Sequence, residues 1–552
     1  MSIYRLERKR LLHATRPPGG VFALCRLLRP CDMDIMKVKM KPGFNALIAV
    51  LLFVSLQTQA FAQSSTAKPV FPRIEPAQKA LEFFSSGADN RDYSWTELSR
   101  ISLWASGEDT ASQESAVPGN AAASGLEQIR RISGEIHASA GFPAAPREKA
   151  EFILEYMHKN LLKAYSVNQT RIDTLLASGR YNCVSSAVLY VILCKSAGLD
   201  AAGVVTKDHA FAVVHLPEGD VDVETTNPYG FDPGSRREFH DQFGKVTGFA
   251  YVPARDYRSR REISPVELVS LILWNRIADL EGGNRFAEAV PLAVDRAALL
   301  LGPSFAVVKE TYSSLFVDPY QSLLDRLFNY AAYLLKYGKE DDCLLWAAFA
   351  SSRYPEQKRW SEITYAAVNN RMNKYLRSGQ IADARNFLES QKAVLVSSSY
   401  AQFDGMIVET ELAGRVNGIR SAADGDSAAA AIDEARKADK ISGKKASELL
   451  TFAIQKTASV ISAAPPASSG SRDWLGAINY LKAALDRYGP NSAVEQTLRS
   501  YQSNRAADFH NRFAAAWNKK NYDEAKRILD DGLAEFPNDR RLLADKDMIN
   551  RR

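Results

Sequence analysis

Apolar residues recur at near-helical steps through most of the chain, and one central stretch breaks that period. Amphipathic spacing predicts helices near 77–84, 95–105, 126–137 and 147–162, the last with Phe152, Tyr156 and Leu161 in step. A polar stretch over 107–124, rich in Gly, Ala and Ser, reads as a loop. A mostly apolar helix follows over 183–199, with Gly198 near its C-terminus. The period then drops to two. Residues 201–205, 209–216 and 221–225 read as strands, and Pro217-Glu218-Gly219-Asp220 is the turn between the last two. From Ser264 to the end the pattern is helical throughout.

The helical half repeats loosely. Small residues fall early in successive helices at Ala289, Cys343, Ala384, Ala430, Ala477 and Ala525. The clearest copy is Asn521-Tyr522-Asp523-Glu524-Ala525, followed by Leu529, Gly532 and Pro537. It resembles the second helix of a tetratricopeptide repeat, whose small residue permits close helix packing and whose proline ends the unit. The steps of 54, 41, 46, 47 and 48 residues exceed the repeat's usual length, so degenerate helical hairpins stacked as a solenoid are expected. Such a solenoid offers a surface for a protein partner, and Cys343 takes the small-residue slot of one copy.

A chain of 552 residues is too long for a single core. Its net charge of +6 comes from the start: residues 1–62 hold 10 Lys and Arg against 3 Asp and Glu. Removing them leaves 60 basic against 61 acidic side chains, which excludes a nucleic-acid footprint. Lys37, Lys39 and Lys41 precede an apolar run over 46–56 and then Ala60-Phe61-Ala62. That order is a secretory signal peptide, with cleavage leaving Gln63 first. The run of about 11 residues falls short of the roughly 20 that span a bilayer, so no stable membrane span is expected after cleavage. A periplasmic or secreted location follows.

Export makes the cysteines informative. Cys183, Cys194 and Cys343 remain beyond the leader, an odd number that cannot all pair internally. Cys183 and Cys194 lie on one predicted helix, about 16 Å apart by helical rise, against a Cα limit of roughly 7 Å for a disulfide. Cys194 reads as a small core residue. Cys183 differs, because it opens its helix. There the dipole and unpaired N–H groups favour thiolate.

A thiolate nucleophile needs an imidazole partner, and that imidazole needs an acceptor to fix its tautomer. His209 opens a strand 26 residues after Cys183, and Glu224 lies 15 residues further on the returning strand. Strand alternation puts His209, Phe211, Val213 and His215 on one face, and Asp222 and Glu224 share a face of the next strand. Either acid can serve as the orienting carboxylate if the hairpin register allows it. Asn182 is placed to cap the helix or to aid an oxyanion, and Asn227 and Asp232 suit turns. His209 and His215 are six residues apart, too far for one ion unless Asp222 or Glu224 joins, and no Cys-x-x-Cys or His-x-x-x-His pair exists. No metal or cofactor is expected. His240 and His510 have no evident partner.

The segments Tyr181-Asn182-Cys183, His209-Ala210-Phe211 and Val223-Glu224-Thr225 resemble the transglutaminase-like superfamily over roughly residues 125–235. Phe211 stands where that family usually has Trp, and Glu224 where it usually has Asp. The resemblance implies a papain-like fold with Cys183 as nucleophile, His209 as general base and acid, and Glu224, favoured over Asp222 by its interval, as the orienting carboxylate. The sequence upstream of Cys183 lacks the Trp that animal transglutaminases use near the oxyanion, which points to hydrolysis ahead of cross-linking.

The expected protein is α+β: a papain-like, transglutaminase-like core followed by an all-α, tetratricopeptide-like solenoid. Its divisions are an extension and signal peptide over 1–62, a linker with two helices over 63–123, a catalytic domain over 124–260 and helical repeats over 261–552. The expected activity is thiol hydrolysis of a protein or peptide substrate through a thioester. The alternatives are acyl transfer and a non-catalytic envelope scaffold whose repeats carry the function.

Overall fold

The structure is a computed structural model, described here over residues 70–86, 92–108, 124–206, 209–233, 260–303, 318–463 and 472–551. The leader, the Gln63 start, most of the 107–124 stretch and His240 lie outside the described residues. Nineteen helices and six short strands among the described residues make the chain mostly α with some β. It divides into two compact units, Met1–Trp360 and Ser361–Arg552.

In the first unit, helices α1 (Gln78–Ser86), α2 (Trp95–Ser106), α3 (Gly125–Ala138) and α4 (Pro146–Asn160) come first. Ser94 and Ser124 begin α2 and α3 with one device, each hydroxyl accepting from the backbone N–H of Glu97 or Glu127 while that glutamate accepts from the serine N–H. Such a reciprocal cap stabilises a helix start by about 1 kcal/mol. Next come β1 (Ala164–Tyr165), α5 (Ile172–Ser178), β2 (Arg180–Tyr181) and α6 (Cys183–Ser196). Every residue of α6 from Cys183 to Cys194 is buried. A helix without a polar face must be enclosed, and α6 packs against α2, α4 and the sheet that follows it. Tyr190 Oη donates to the Ala150 carbonyl of α4 at 3.0 Å, which satisfies this buried phenol.

The sheet contains β3 (Asp200–Val205), β4 (Ala210–Leu216), β5 (Gly219–Val223) and β6 (Arg261–Ile263), in the order β5-β4-β3-β6 and antiparallel throughout. Its register sets Ala212 against Gly203 on one side and Val223 on the other. Alternation then sends Ala201, Val205, Ala210, Ala212 and Val214 into the core around α6. Ala202, Val204, Phe211 and Val213 form a second small cluster on the opposite face.

Helices α7 (Pro265–Gly282), α8 (Phe286–Leu301), α9 (Pro319–Lys336) and α10 (Glu340–Arg353) complete the first unit. The boundary read at 260/261 does not coincide with this division. Helix α7 packs on α2, α6 and β3, and its Val266, Leu268, Val269 and Ile272 belong to the core that holds Cys183. Periodicity identifies α7 as a helix but carries no information on which core its apolar face enters.

The second unit consists of α11 (Trp360–Arg377), α12 (Ile381–Ser390), α13 (Ser397–Gly418), α14 (Ala422–Lys437), α15 (Gly443–Ala463), α16 (Trp474–Tyr488), α17 (Ser492–Asn518), α18 (Tyr522–Glu535) and α19 (Arg540–Asn550). A small residue occupies the fourth position of every second helix from α8 onward. Ala289, Cys343, Ala384, Ala477 and Ala525 are all buried there. In α14 the position belongs to Gly425, while the expected Ala430 is only half-buried. A Cβ on Gly425 would lie 1.9 Å from Thr457 Oγ1 of α15, so this crossing admits only glycine. Among the described residues no helix is long and apolar enough to cross a membrane.

Candidate active site

Asn182 starts α6. Its Oδ1 accepts from the Ser185 N–H at 3.0 Å, Ser185 Oγ accepts from the Asn182 N–H at 2.9 Å, and Asn182 Nδ2 donates to the Val167 carbonyl at 3.2 Å. With both ends of the amide engaged, Asn182 is a cap. Cys183 is therefore the first helical residue, 7% exposed. Its N–H belongs to the first turn, where no helical carbonyl precedes it.

His209 immediately precedes β4, and the Thr206 N–H donates to its carbonyl at 2.9 Å to close the β3–β4 turn. Glu224 immediately follows β5. Continuing the Ala212–Val223 register sets Glu224 opposite Phe211, so His209 and Glu224 are diagonal neighbours on one face. His209 Nε2 lies 2.6 Å from Glu224 Oε2. The other carboxylate oxygen, Oε1, accepts from the Thr226 N–H at 3.1 Å and the Thr226 hydroxyl at 2.6 Å. The Cys183 side chain interacts with the same imidazole. Since Nε2 faces Glu224, Nδ1 is the ring nitrogen left for sulfur.

Burial works against a charge on His209, but the Glu224 carboxylate and the nearby Cys183 outweigh it and raise the imidazole well above the ordinary histidine range. A thiol, an imidazole and a carboxylate in series can move a proton from sulfur to nitrogen without separating charge into solvent.

Asp222 has a different partner. Arg260 clasps its carboxylate, with Nη1 2.7 Å from Oδ2. The same guanidinium lies over the Phe211 ring, 5.2 Å from its centroid, and Phe211 stacks on His209 at 6.2 Å. Asp222 thus shares the face of Glu224 but is neutralised by Arg260, and Glu224 is the acid bonded to the imidazole.

The backbone after Glu224 is pinned. The Glu224 N–H donates to the Gly230 carbonyl at 2.8 Å, and the Gly230 N–H to the Asn227 carbonyl at 3.0 Å. Asn227 Oδ1 accepts from the Tyr229 N–H at 2.9 Å, the geometry of an Asx turn. A Cβ at Gly230 would sit 1.9 Å from the Glu224 carbonyl oxygen. Asp232 N–H donates to the Asp222 carbonyl at 3.0 Å, and its carboxylate pairs with Arg147 at 2.7 Å. Ser186 Oγ and Thr225 Oγ1 are 2.8 Å apart and tie α6 to this turn.

Three further residues line the site. His158 of α4 places Nε2 3.2 Å from the Thr225 carbonyl, and burial lowers its pKa to about 4 despite that bond and the nearby Glu224. Tyr165 and Tyr181 are register partners of the parallel β1–β2 pair, their rings edge-on at 5.8 Å. Burial, with Glu224 beside it, pushes the Tyr181 phenol to about 12. Tyr165 is raised by burial first and then by Cys183 and Glu224. Tyr181 belongs to the segment that leads into Cys183, whereas His158 and Tyr165 carry no motif. Only the fold brings residues 18 to 25 positions upstream back beside Cys183.

Outside this cluster, His215 Nδ1 lies 2.8 Å from Asp220 and Nε2 3.2 Å from Glu262, at the far end of β4. Among the described residues these three make a group whose ligand atoms lie within 4.8 Å of one another, close enough to hold a cation. Exposed ion pairs to a histidine account for the same geometry. His510 finds a partner in Asp545 at 2.8 Å. Cys194 and Cys343 are buried thiols, each raised by burial to about 12.

No protein-family model matches the chain, and no curated protein matches it significantly.

Proposed function

We propose that the chain is an exported thiol hydrolase of peptidase or amidase type on a papain-like, transglutaminase-like core. The observation that carries the reading is His209, bonded to Glu224 through Nε2 at 2.6 Å, with the Cys183 thiol acting on the same ring. His209 takes the thiol proton as Cys183 Sγ adds to an amide carbonyl. The Cys183 N–H, unspent in the helix, stabilises the oxyanion. His209 returns the proton to the departing amine, and a thioester remains. Water, giving its proton to His209, releases the acid; an amine in its place would give acyl transfer. Glu224 holds the ring by one oxygen while Thr226 holds Glu224 by the other. The helical repeats bind a protein partner.

The test is the pH dependence of iodoacetamide alkylation at Cys183, read by mass spectrometry in wild type and His209→Ala. The wild type is expected to alkylate readily at neutral pH, and the variant only as the pH rises well above neutrality. A Cys183 that stays inert at every pH, with no change in the variant, would make the thiol a packing residue and the chain a helical scaffold.

A further inference from the structure

The second unit contains a groove that its own side chains leave unsatisfied. It lies among α14, α15, α16 and the start of α17, with a volume of about 410 Å³, within the roughly 300–1,000 Å³ range of ligand sites. Leu450, Ile454 and Val494 contribute apolar surface. Arg436, Lys437 and Arg487 also line it, against one carboxylate, Asp433. Asp433 is already committed, with one oxygen 2.7 Å from Arg436 and the other 2.7 Å from Lys437. Arg487 has no carboxylate partner among the described residues and lies over the Tyr488 ring, 5.3 Å from its centroid. The Tyr488 hydroxyl is sealed from solvent and has no hydrogen-bond partner among the described residues. A buried donor without an acceptor is costly, and a carboxylate is the acceptor that suits both it and the guanidinium beside it.

We propose that this groove binds an acidic peptide segment, with an apolar side chain against Leu450 and Ile454 and a carboxylate between Arg487 and the Tyr488 hydroxyl. The excess of cations selects against basic peptides, and the apolar floor selects against a bare anion. The inference deepens the reading of the helical repeats as a protein-binding surface and rests on that part of it alone. The thiol chemistry is not involved.

The test uses the full chain with Cys183→Ala, so that loss of hydrolysis and loss of binding are read separately. Fluorescence anisotropy follows a labelled octapeptide of alternating Glu and Leu, with a Lys and Leu octapeptide and free glutamate as comparisons. Saturable binding of the acidic peptide alone is expected, weakened about tenfold by Arg487→Glu, an exposed position where the fold is spared. Tyr488→Phe removes only the hydroxyl and is expected to weaken binding about fivefold, with an unchanged melting temperature confirming the fold. The proposal is overturned if the acidic peptide does not bind, if the basic peptide binds equally, or if neither variant changes the affinity.

Discussion

His209 Nε2 and Glu224 Oε2 approach to 2.6 Å in a place where both side chains are nearly sealed from solvent. A charge-assisted bond of that length fixes the tautomer and plane of the ring. Asp222, only two residues away, is held by Arg260 and does not share the task. Glu224→Gln is therefore expected to slow Cys183 alkylation at neutral pH by about tenfold. Asp222→Asn should leave the rate within about twofold, because it disturbs a pair that touches the ring only through Phe211. Rates of iodoacetamide labelling in the two variants check both.

Cys183, Cys194 and Cys343 should separate cleanly in a thiol-labelling experiment. Burial holds Cys194 and Cys343 near 12, and neither has an imidazole partner among the described residues. Mass spectrometry of native protein labelled at pH 8 should show one adduct, at Cys183, and three after denaturation.

His158 makes folding stability depend on pH in a calculable direction. Its folded pKa of about 4 lies below the ordinary 6.5, so the unfolded chain binds the extra proton. Its contribution is complete above pH 6.5 and is lost as the pH falls toward 4, on the order of 3 kcal/mol over that window. Urea melts at pH 7 and pH 4.5 should show the loss, and His158→Gln should flatten that part of the dependence.

Gly230 is expected to tolerate no side chain. A methyl group there meets the Glu224 carbonyl at 1.9 Å and must push away the backbone that aims the acid. Gly230→Ala should cost on the order of 3 kcal/mol in urea unfolding and slow Cys183 alkylation as well. Gly134→Ala in α3, where nothing lies within 4 Å, should instead stabilise by roughly 0.5–1 kcal/mol.

Periodicity suffices to find α6 and the strands β3, β4 and β5, because each is long enough to show its period and bounded by turn residues. It is silent on β1 and β2, which are two residues each, and on three-residue β6. The choice between Asp222 and Glu224 is hidden for another reason. Alternation places both on one face, and the residue that distinguishes them, Arg260, enters from 38 positions downstream. Gly425 escapes a search for repeating alanines because the crossing with Thr457 is too tight for one. His158 and Tyr165 belong to a tertiary neighbourhood with no local pattern.

Helix α7 has a dual membership: it walls the core around Cys183 and also begins the series of helical hairpins. The site-bearing half is consequently not a portable cassette ending where its strands end. A fragment cut at 260 would strip Leu268, Ile272 and Leu273 from the interior and leave α6 open along one side. A protease seeking two stable halves would have to cut near Trp360, about a hundred residues after β6, the last strand of the sheet.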